Sequence, residues 1–373
     1  MNRVVQIPFV AGCVFALLLM AFPAAAQEIV SDAIVTMKAR VLEVISQERR
    51  TVPGIGVEAD FQVIKVEILD EPERGKILTL ENDFLNLKAG DVFYLTHTTN
   101  PVDATDHYAV SEPYRLPQLA FLLFLFIALV LIFGGKQGLR GLLSLGGSLF
   151  FIAFLLLPGI LRGYPPVLVA VGVSSLIVLI GSYVTHGFSK MTSTAVVGMI
   201  VTVSLTGILA YVSIPFAHLS GFVGEETTYL NLNTGGTINL AGLLIGAILI
   251  GTLGVLYDAA IGQAVAVEEL AAAGAHLSRR DVYRRALRIG REHVGALVNT
   301  LAIAYVGASL PLLLLFYGFG TDSIAITLNR ELFATEIVRT IVGSIGLVLA
   351  VPITTAVAAY FLVQSEGSKE LKY

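Results

Sequence analysis

The sequence predicts an α-helical polytopic membrane protein of about seven transmembrane helices, preceded by a small exported all-β domain of the OB or SH3-like barrel kind. Three observations predict it. Of the 373 residues 55% are hydrophobic and only 14% charged, with a mean hydropathy of +0.79, far from the balance of a soluble chain. The apolar residues gather after position 115 into seven runs, each near the ~20 residues that cross a hydrocarbon core. Before that position the pattern changes to short alternating runs separated by turn residues, the mark of strands.

In chain order, residues 1–26 carry an early charge (Arg3), an apolar run at 8–22 and Ala24-Ala25-Ala26. This is the layout of a secretory signal peptide, with an uncleaved anchor as the alternative. Either way the segment after it is expected outside. The single cysteine, Cys13, lies within this leader, so the mature chain has no disulfide, thiolate nucleophile or Cys-built metal site.

Residues 27–115 form the expected exported domain. Strands are predicted at 35–44, 61–69, 76–80, 92–96 and 108–110, with turns at Pro53-Gly54, Glu73-Arg74-Gly75 and Lys88-Ala89-Gly90-Asp91. Five strands in so few residues suit a small barrel, since closure removes exposed edges; a two-sheet sandwich competes. The domain holds 9 basic and 16 acidic residues, which excludes a nucleic-acid binder and leaves a protein partner as the expected ligand. Pro113 and Pro117 flank the entry to the membrane, where Tyr114 and Arg115 suit the interface.

The bundle spans 116–363, with predicted crossings at 116–133, 138–158, 166–185, 192–214, 238–257 or beyond, 294–317 and 336–363. A tail at 364–373 follows. With the β domain outside, 11 basic residues fall on cytoplasmic connections and 3 on exterior ones, in keeping with the positive-inside rule. The predicted location is therefore a bacterial cytoplasmic membrane with a cytoplasmic C-terminus. Small residues recur at Gly141, Ser144 and Ser148, at Gly198 and Thr202, and at Gly242 and Gly246, where they let helices approach closely.

The fifth and sixth spans carry the candidate site. On a helix, Ala247, Gly251, Gly254, Asp258, Gly262, Val265 and Glu269 share one narrow arc. The acid sits on the small-residue face, so it is expected to point into the bundle. Arg291, Gly295, Asn299, Ala302 and Ser309 form a comparable stripe on the sixth span. If the stripes face each other, Asp258, Asn299, Arg291, Glu269 and Ser309 are candidates for ion binding or transport; an Asp258–Arg291 structural pair is the competing reading. A polar cavity reaching Asp258 favours transport, and a dry interior favours a scaffold.

Between these spans lie six arginines, Arg279, Arg280, Arg284, Arg285, Arg288 and Arg291. Ser278 and Asp281 suit a capping box. Val282, Ala286 and Ile289 line one side of an interfacial helix whose arginines attract anionic lipid head groups.

Several short motifs are shared with a known family: Thr185-His186-Gly187-Phe188, Gly224-Glu225-Glu226, Tyr257-Asp258, Glu268-Glu269-Leu270, Ile289-Gly290-Arg291, Asn299-Thr300-Leu301, Ala304-Tyr305-Val306-Gly307 and Ser309-Leu310-Pro311. In this order they make the chain resemble the YibE/YibF-like family of bacterial multi-spanning membrane proteins. The resemblance implies a cytoplasmic-membrane protein and carries no active-site assignment.

Missing residues exclude several chemistries. There is no His-Glu-x-x-His pair and no Gly-x-x-x-x-Gly-Lys-Ser/Thr loop, no second acid for an intramembrane aspartyl protease, and no lysine in the last span for a retinal Schiff base. No enzyme, cofactor or metal is expected. His218, Glu225, Glu226 and Asp322 match no metal spacing. The remaining functions are a permease or ion-coupled transporter, or a non-transporting scaffold or sensor whose β domain binds a partner.

Overall fold

Alternating apolar residues from Met37 to Val41 build the first part of β1 (Ile34–Thr51), the strand at the centre of a five-stranded antiparallel sheet. The computed structural model describes residues 34–51, 58–83, 85–99, 105–274, 276–319 and 323–363. The expected signal peptide and cytoplasmic tail lie outside them. The chain divides into two compact units that meet between Ile132 and Phe133.

The first unit carries β1, β2 (Glu58–Ile68), β3 (Ile77–Asn82), β4 (Val92–Thr99) and β5 (Asp106–Pro113) in the order β3-β2-β1-β4-β5. β1 pairs with β4 through residues 34–40 and with β2 through 39–51, and register shifts at Val41/Glu43 and Val44/Ser46 bend it between the two. Bulges increase local twist, and the result is a half-barrel. Met37, Ala39, Val41, Ile64, Val66, Ile68, Phe93 and Leu95 fill its concave side. The buried Gln62 and Asn82 tie down the following loop: Gln62 accepts from the Leu87 amide (2.9 Å) and donates to its carbonyl (3.0 Å). The small all-β domain is as expected, but its closure is not a continuous ladder. The edges β3 and β5 approach through side chains at one end, where Tyr108 donates to both oxygens of Glu73 and Lys76 donates to Tyr108 at 2.6 Å.

The helical part begins with α1 (Leu116–Phe151), which runs on through a π-helical turn into α2 (Leu157–Leu161). Then come α3 (Pro166–His186), α4 (Lys190–Phe216), the short α5 (Glu225–Asn233), α6 (Leu240–Ala273), α7 (Arg279–Ala308), α8 (Leu310–Phe319), α9 (Ile324–Asn329) and α10 (Glu331–Leu362). Polar side chains start several of them. Ser189, Asn239 and Ser278 accept from the amides of Thr192, Gly242 and Asp281, satisfying donors that a first helical turn leaves open.

Helices α4, α6 and α10 pack on one another, with α3 against α4 and α6, and α7 against α6 and α10. Small residues make these approaches possible. A Cβ on Gly198 would lie 2.6 Å from Thr354 Oγ1, and one on Gly343 would lie 2.5 Å from Thr252 Cγ2. Gly198, Gly242 and Gly246 thus seat helix against helix as expected, whereas a Cβ on Gly141 would meet nothing within 4 Å.

Among the described residues five helical segments are long and apolar enough to cross a membrane, or six if a bent pair is counted. Seven were expected. The first two expected crossings fall within one segment, Leu116–Leu161, of 46 residues. Its backbone leaves helical geometry at Gly135 (φ 52, ψ −133), a conformation open to glycine because it has no Cβ. The sixth expected span and the arginine helix are one continuous helix, α7, and the break comes at its far end instead.

Candidate functional site

Helix α6 is apolar on nearly every side, so its sequence alone does not say which side is covered. Its neighbours decide. Thr252, Leu249, Leu256, Ala260, Gln263 and Ala264 are buried against α3, α4, α7 and α10. The stripe Ala247, Gly251, Gly254, Asp258, Gly262, Val265 and Glu269 is exposed throughout. A Cβ on Gly254 or Gly262 would meet nothing within 4 Å. Asp258 was expected to point into the bundle; it lies on the outer face of it.

The second stripe lies outward as well. Arg291, Gly295 and Asn299 are exposed, and Ser309 is half-buried. Asp258, Glu269, Arg291 and Asn299 form no side-chain hydrogen bond or ion pair among the described residues, so the expected Asp258–Arg291 pair is not made. Depth along the helices can still be compared. Gly251 packs on the Tyr305 hydroxyl and Gly290 on the Gln263 amide, which aligns the antiparallel α6 and α7. Asp258 lies seven residues past Gly251, and Asn299 six before Tyr305. The acid and the amide therefore stand at about one level along the two helices, both on exposed surface.

Two polar residues of α6 are buried, Thr252 and Gln263; Gln263 accepts from Thr355 Oγ1 of α10 at 2.8 Å. A glutamine within an apolar run was the available signal. Arg279 is also spoken for: it donates to the Val363 carbonyl (3.1 Å) and lies over the Tyr360 ring, closing the end of α10. Along the rest of the arginine segment Val282, Ala286 and Gly290 are buried, while Ile289 is 41% exposed. The buried side is thus shifted by one residue from the side expected. Ser278 caps as expected, but the Asp281 carboxylate accepts from the Ser278 hydroxyl at 2.6 Å.

Ser309 marks a different place. There α7 and α8 meet at a 64° bend. Pro311 explains it, because a proline has no N–H for the carbonyl four residues back and its ring collides with that carbonyl. The Ser309 amide closes α7 on the Tyr305 and Gly307 carbonyls instead. Beside the bend is a cavity of about 280 Å³, lined by Tyr305, Ser309, Phe333, Glu336 and Thr340 among apolar neighbours. Glu336 pairs with Arg339 at 3.2 Å. The Tyr305 hydroxyl and Arg339 Nε are buried with no hydrogen-bond partner. Sequence reasoning counted Arg339 only as a charge at a span edge and passed over Glu336; their i, i+3 spacing inside an apolar helix was the signal.

The loop group His218, Glu225 and Glu226 is exposed, Asp322 lies outside the described residues, and no metal-holding group occurs among those described. A structural carboxylate is found nearby: Glu331 accepts from the amides of Ser220 (2.7 Å) and Gly221 (2.8 Å), pinning the loop after α4 to the start of α10.

The family model described as YibE/F-like protein matches residues 122–364. The chain belongs to the YibE/F-like family. The matched stretch of this YibE/F-like protein contains α3 to α10, and with them the outer polar face of α6 and α7 and the bend at Ser309. The half-barrel precedes it. No curated protein and no solved structure matches the chain.

Proposed function

We propose that this YibE/F-like protein is an ion-coupled permease of the bacterial cytoplasmic membrane. The observation that carries the proposal is the interrupted helix at Ser309, which opens beside a cavity holding Glu336 and the Tyr305 ring. Transporters place substrate and ion sites at such breaks, where backbone groups are freed and irregular structure lines a cavity. The dry packing of α4, α6 and α10 supports the second reading, a scaffold or sensor whose bundle anchors the β domain.

In this proposal the 46-residue apolar segment makes two crossings. As a single helix it would be about 70 Å long, more than twice the hydrocarbon thickness. The break at Gly135 supplies the turn, and α3, α4, α6, the α7–α8 pair and α10 bring the crossings to seven. The excess of basic residues on one set of connections supports a β domain outside, after a cleaved leader, and a cytoplasmic C-terminus. Arg280, Arg284, Arg285, Arg288 and Arg291 then meet anionic lipid head groups, while the OB-like half-barrel holds a protein partner. No catalytic chemistry is proposed.

Purified protein in sealed vesicles, screened across proton, sodium and potassium gradients and a substrate panel, tests the transport reading. Flux above that of empty vesicles is expected, falling at least about tenfold in Glu336→Gln, the range for losing a hydrogen bond to a charged group. Flux indistinguishable from empty vesicles across the panel would leave the scaffold reading standing.

A further inference from the structure

We propose that the cavity beside the bend at Ser309 binds a small monocarboxylate, held by Arg339 and the Tyr305 hydroxyl, and that Glu336 takes up one proton with it. The proposal rests on the permease reading and names its substrate class. An arginine eight residues into an apolar crossing helix marks a functional site by default, and Arg339 is poorly matched where it stands. Its Nη1 meets one oxygen of Glu336 at 3.2 Å, and its guanidinium lies 5.9 Å from the centre of the Tyr305 ring. Its Nε and the Tyr305 hydroxyl are buried with no hydrogen-bond partner. A buried donor left unmatched costs more than a made hydrogen bond returns, so what this corner lacks is an acceptor. Two donors on and beside a cationic fork suit the two oxygens of a carboxylate.

Size, lining and charge select the rest of the ligand. The cavity holds about 280 Å³, below the ~300–1,000 Å³ of pockets for drug-sized ligands. Its walls away from Glu336 are mainly aliphatic and aromatic, with Leu312, Leu313, Leu328 and Phe333 among them, which fits a short apolar body behind the carboxylate. The helices that build it, α7 to α10, belong to one compact unit. Among the described residues the titratable groups that face Glu336 are Arg339 on its own helix and Tyr305 of α7; α8 and α9 present leucines, and α6 brings Gly251 to the Tyr305 hydroxyl. Arg339 and Glu336 cancel each other's charge. An anion entering alone would leave one negative charge unpaired in an apolar site, which is costly. A proton on Glu336 restores the balance and releases the guanidinium, whose fork then turns to the incoming carboxylate. Substrate and proton therefore bind together and leave together, with no net charge moved.

Titration of the purified full chain in detergent with butyrate, benzoate and butylammonium, read by calorimetry and by the unfolding midpoint, tests this. Butyrate and benzoate are expected to bind and to raise the midpoint; butylammonium, a similar body with the opposite charge, is not. Affinity for butyrate falls between about pH 6 and about pH 8 with a slope of up to about tenfold per unit, the limit for one proton taken up. Glu336→Gln keeps the binding and loses the slope. Arg339→Gln weakens binding at least about tenfold, and Tyr305→Phe, which leaves the ion pair in place, at least about threefold. Each variant is first checked for a cooperative unfolding transition. Absence of binding by both acids overturns the proposal. So does binding of butylammonium in their place, or a wild-type affinity as flat with pH as that of Glu336→Gln. Binding is read without flux, so butyrate binding in a protein that carries no flux counts against the permease alone. Flux of another substrate without butyrate binding counts against the monocarboxylate site alone.

Discussion

Gln263 and Asp258 stand five residues apart on α6 and meet opposite surroundings. Five residues turn a helix by about 140°, so a neighbour that buries one leaves the other outside. Gln263, 3% exposed, is held by Thr355, and that bond sets a prediction. Thr355→Val alone leaves the Gln263 carboxamide buried without its partner, lowering stability by about 1 kcal/mol, whereas in Gln263→Leu the Thr355 hydroxyl keeps its bond to the Val351 carbonyl and the loss is smaller. The double replacement recovers most of the loss because both polar groups are gone. Thermal unfolding in detergent of the four proteins measures the cycle; a double variant as unstable as the sum of the singles would show that the bond contributes nothing. The polar residues were all visible in the sequence, but which of them is buried was not. An all-round apolar helix gives no preferred side until its neighbours are placed.

At the scale of elements, the β half-barrel and the α7–α8 bend show how local chemistry shapes a segment. The seam between β3 and β5 is drawn together by titratable groups: Glu73, Lys76 and Tyr108, with His97 stacked on Tyr108 and 2.9 Å from Asp106. The hydrogen bond from Lys76 holds the Glu73 carboxyl below its ordinary value, and the one with His97 does the same for Asp106. The hydrogen bond to Tyr108 raises Lys76 above its own ordinary value. A lowered carboxylate contributes stability that is present above its unfolded value, about pH 4, and is lost as pH falls through the folded value. A raised lysine contributes below about pH 10 and loses its share as pH rises further. The unfolding midpoint of the half-barrel in the full chain should therefore drop on the acid side below about pH 4. Combining Glu73→Gln with Asp106→Asn should lower the midpoint at neutral pH and flatten that acid limb; an unchanged acid limb would place the sensitivity elsewhere. The strands were legible from alternation and turns, since those signals are local. The seam was not, because it joins residues 32 to 35 positions apart. The bend at Ser309 had a local cause in Pro311, but its angle depends on what α8 and α10 pack against.

For the whole molecule the testable statement is orientation. Reporters fused within the loop before Asn239 and within the segment 279–291 should report opposite sides of the membrane, outside and cytoplasmic respectively. A cytoplasmic signal from both would reverse the proposed topology. The sequence by itself determined the class of protein: apolar runs of crossing length, an N-terminal stretch of alternating strands, the acidic balance of that stretch and the family motifs are all properties of composition and spacing. It also located the small-residue stripe and its acid, because helical periodicity is a property of the backbone. Only the tertiary structure decided which way that stripe faces, that Gln263 is buried while Asp258 is exposed, and that Glu336, Arg339 and Tyr305 gather beside the break. The reason is physical. Along one helix the angular positions of side chains follow from 3.6 residues per turn, but the direction of burial is set by the helices around it, whose close approaches at Gly198, Gly290, Gly343 and Gly346 join residues far apart in the chain.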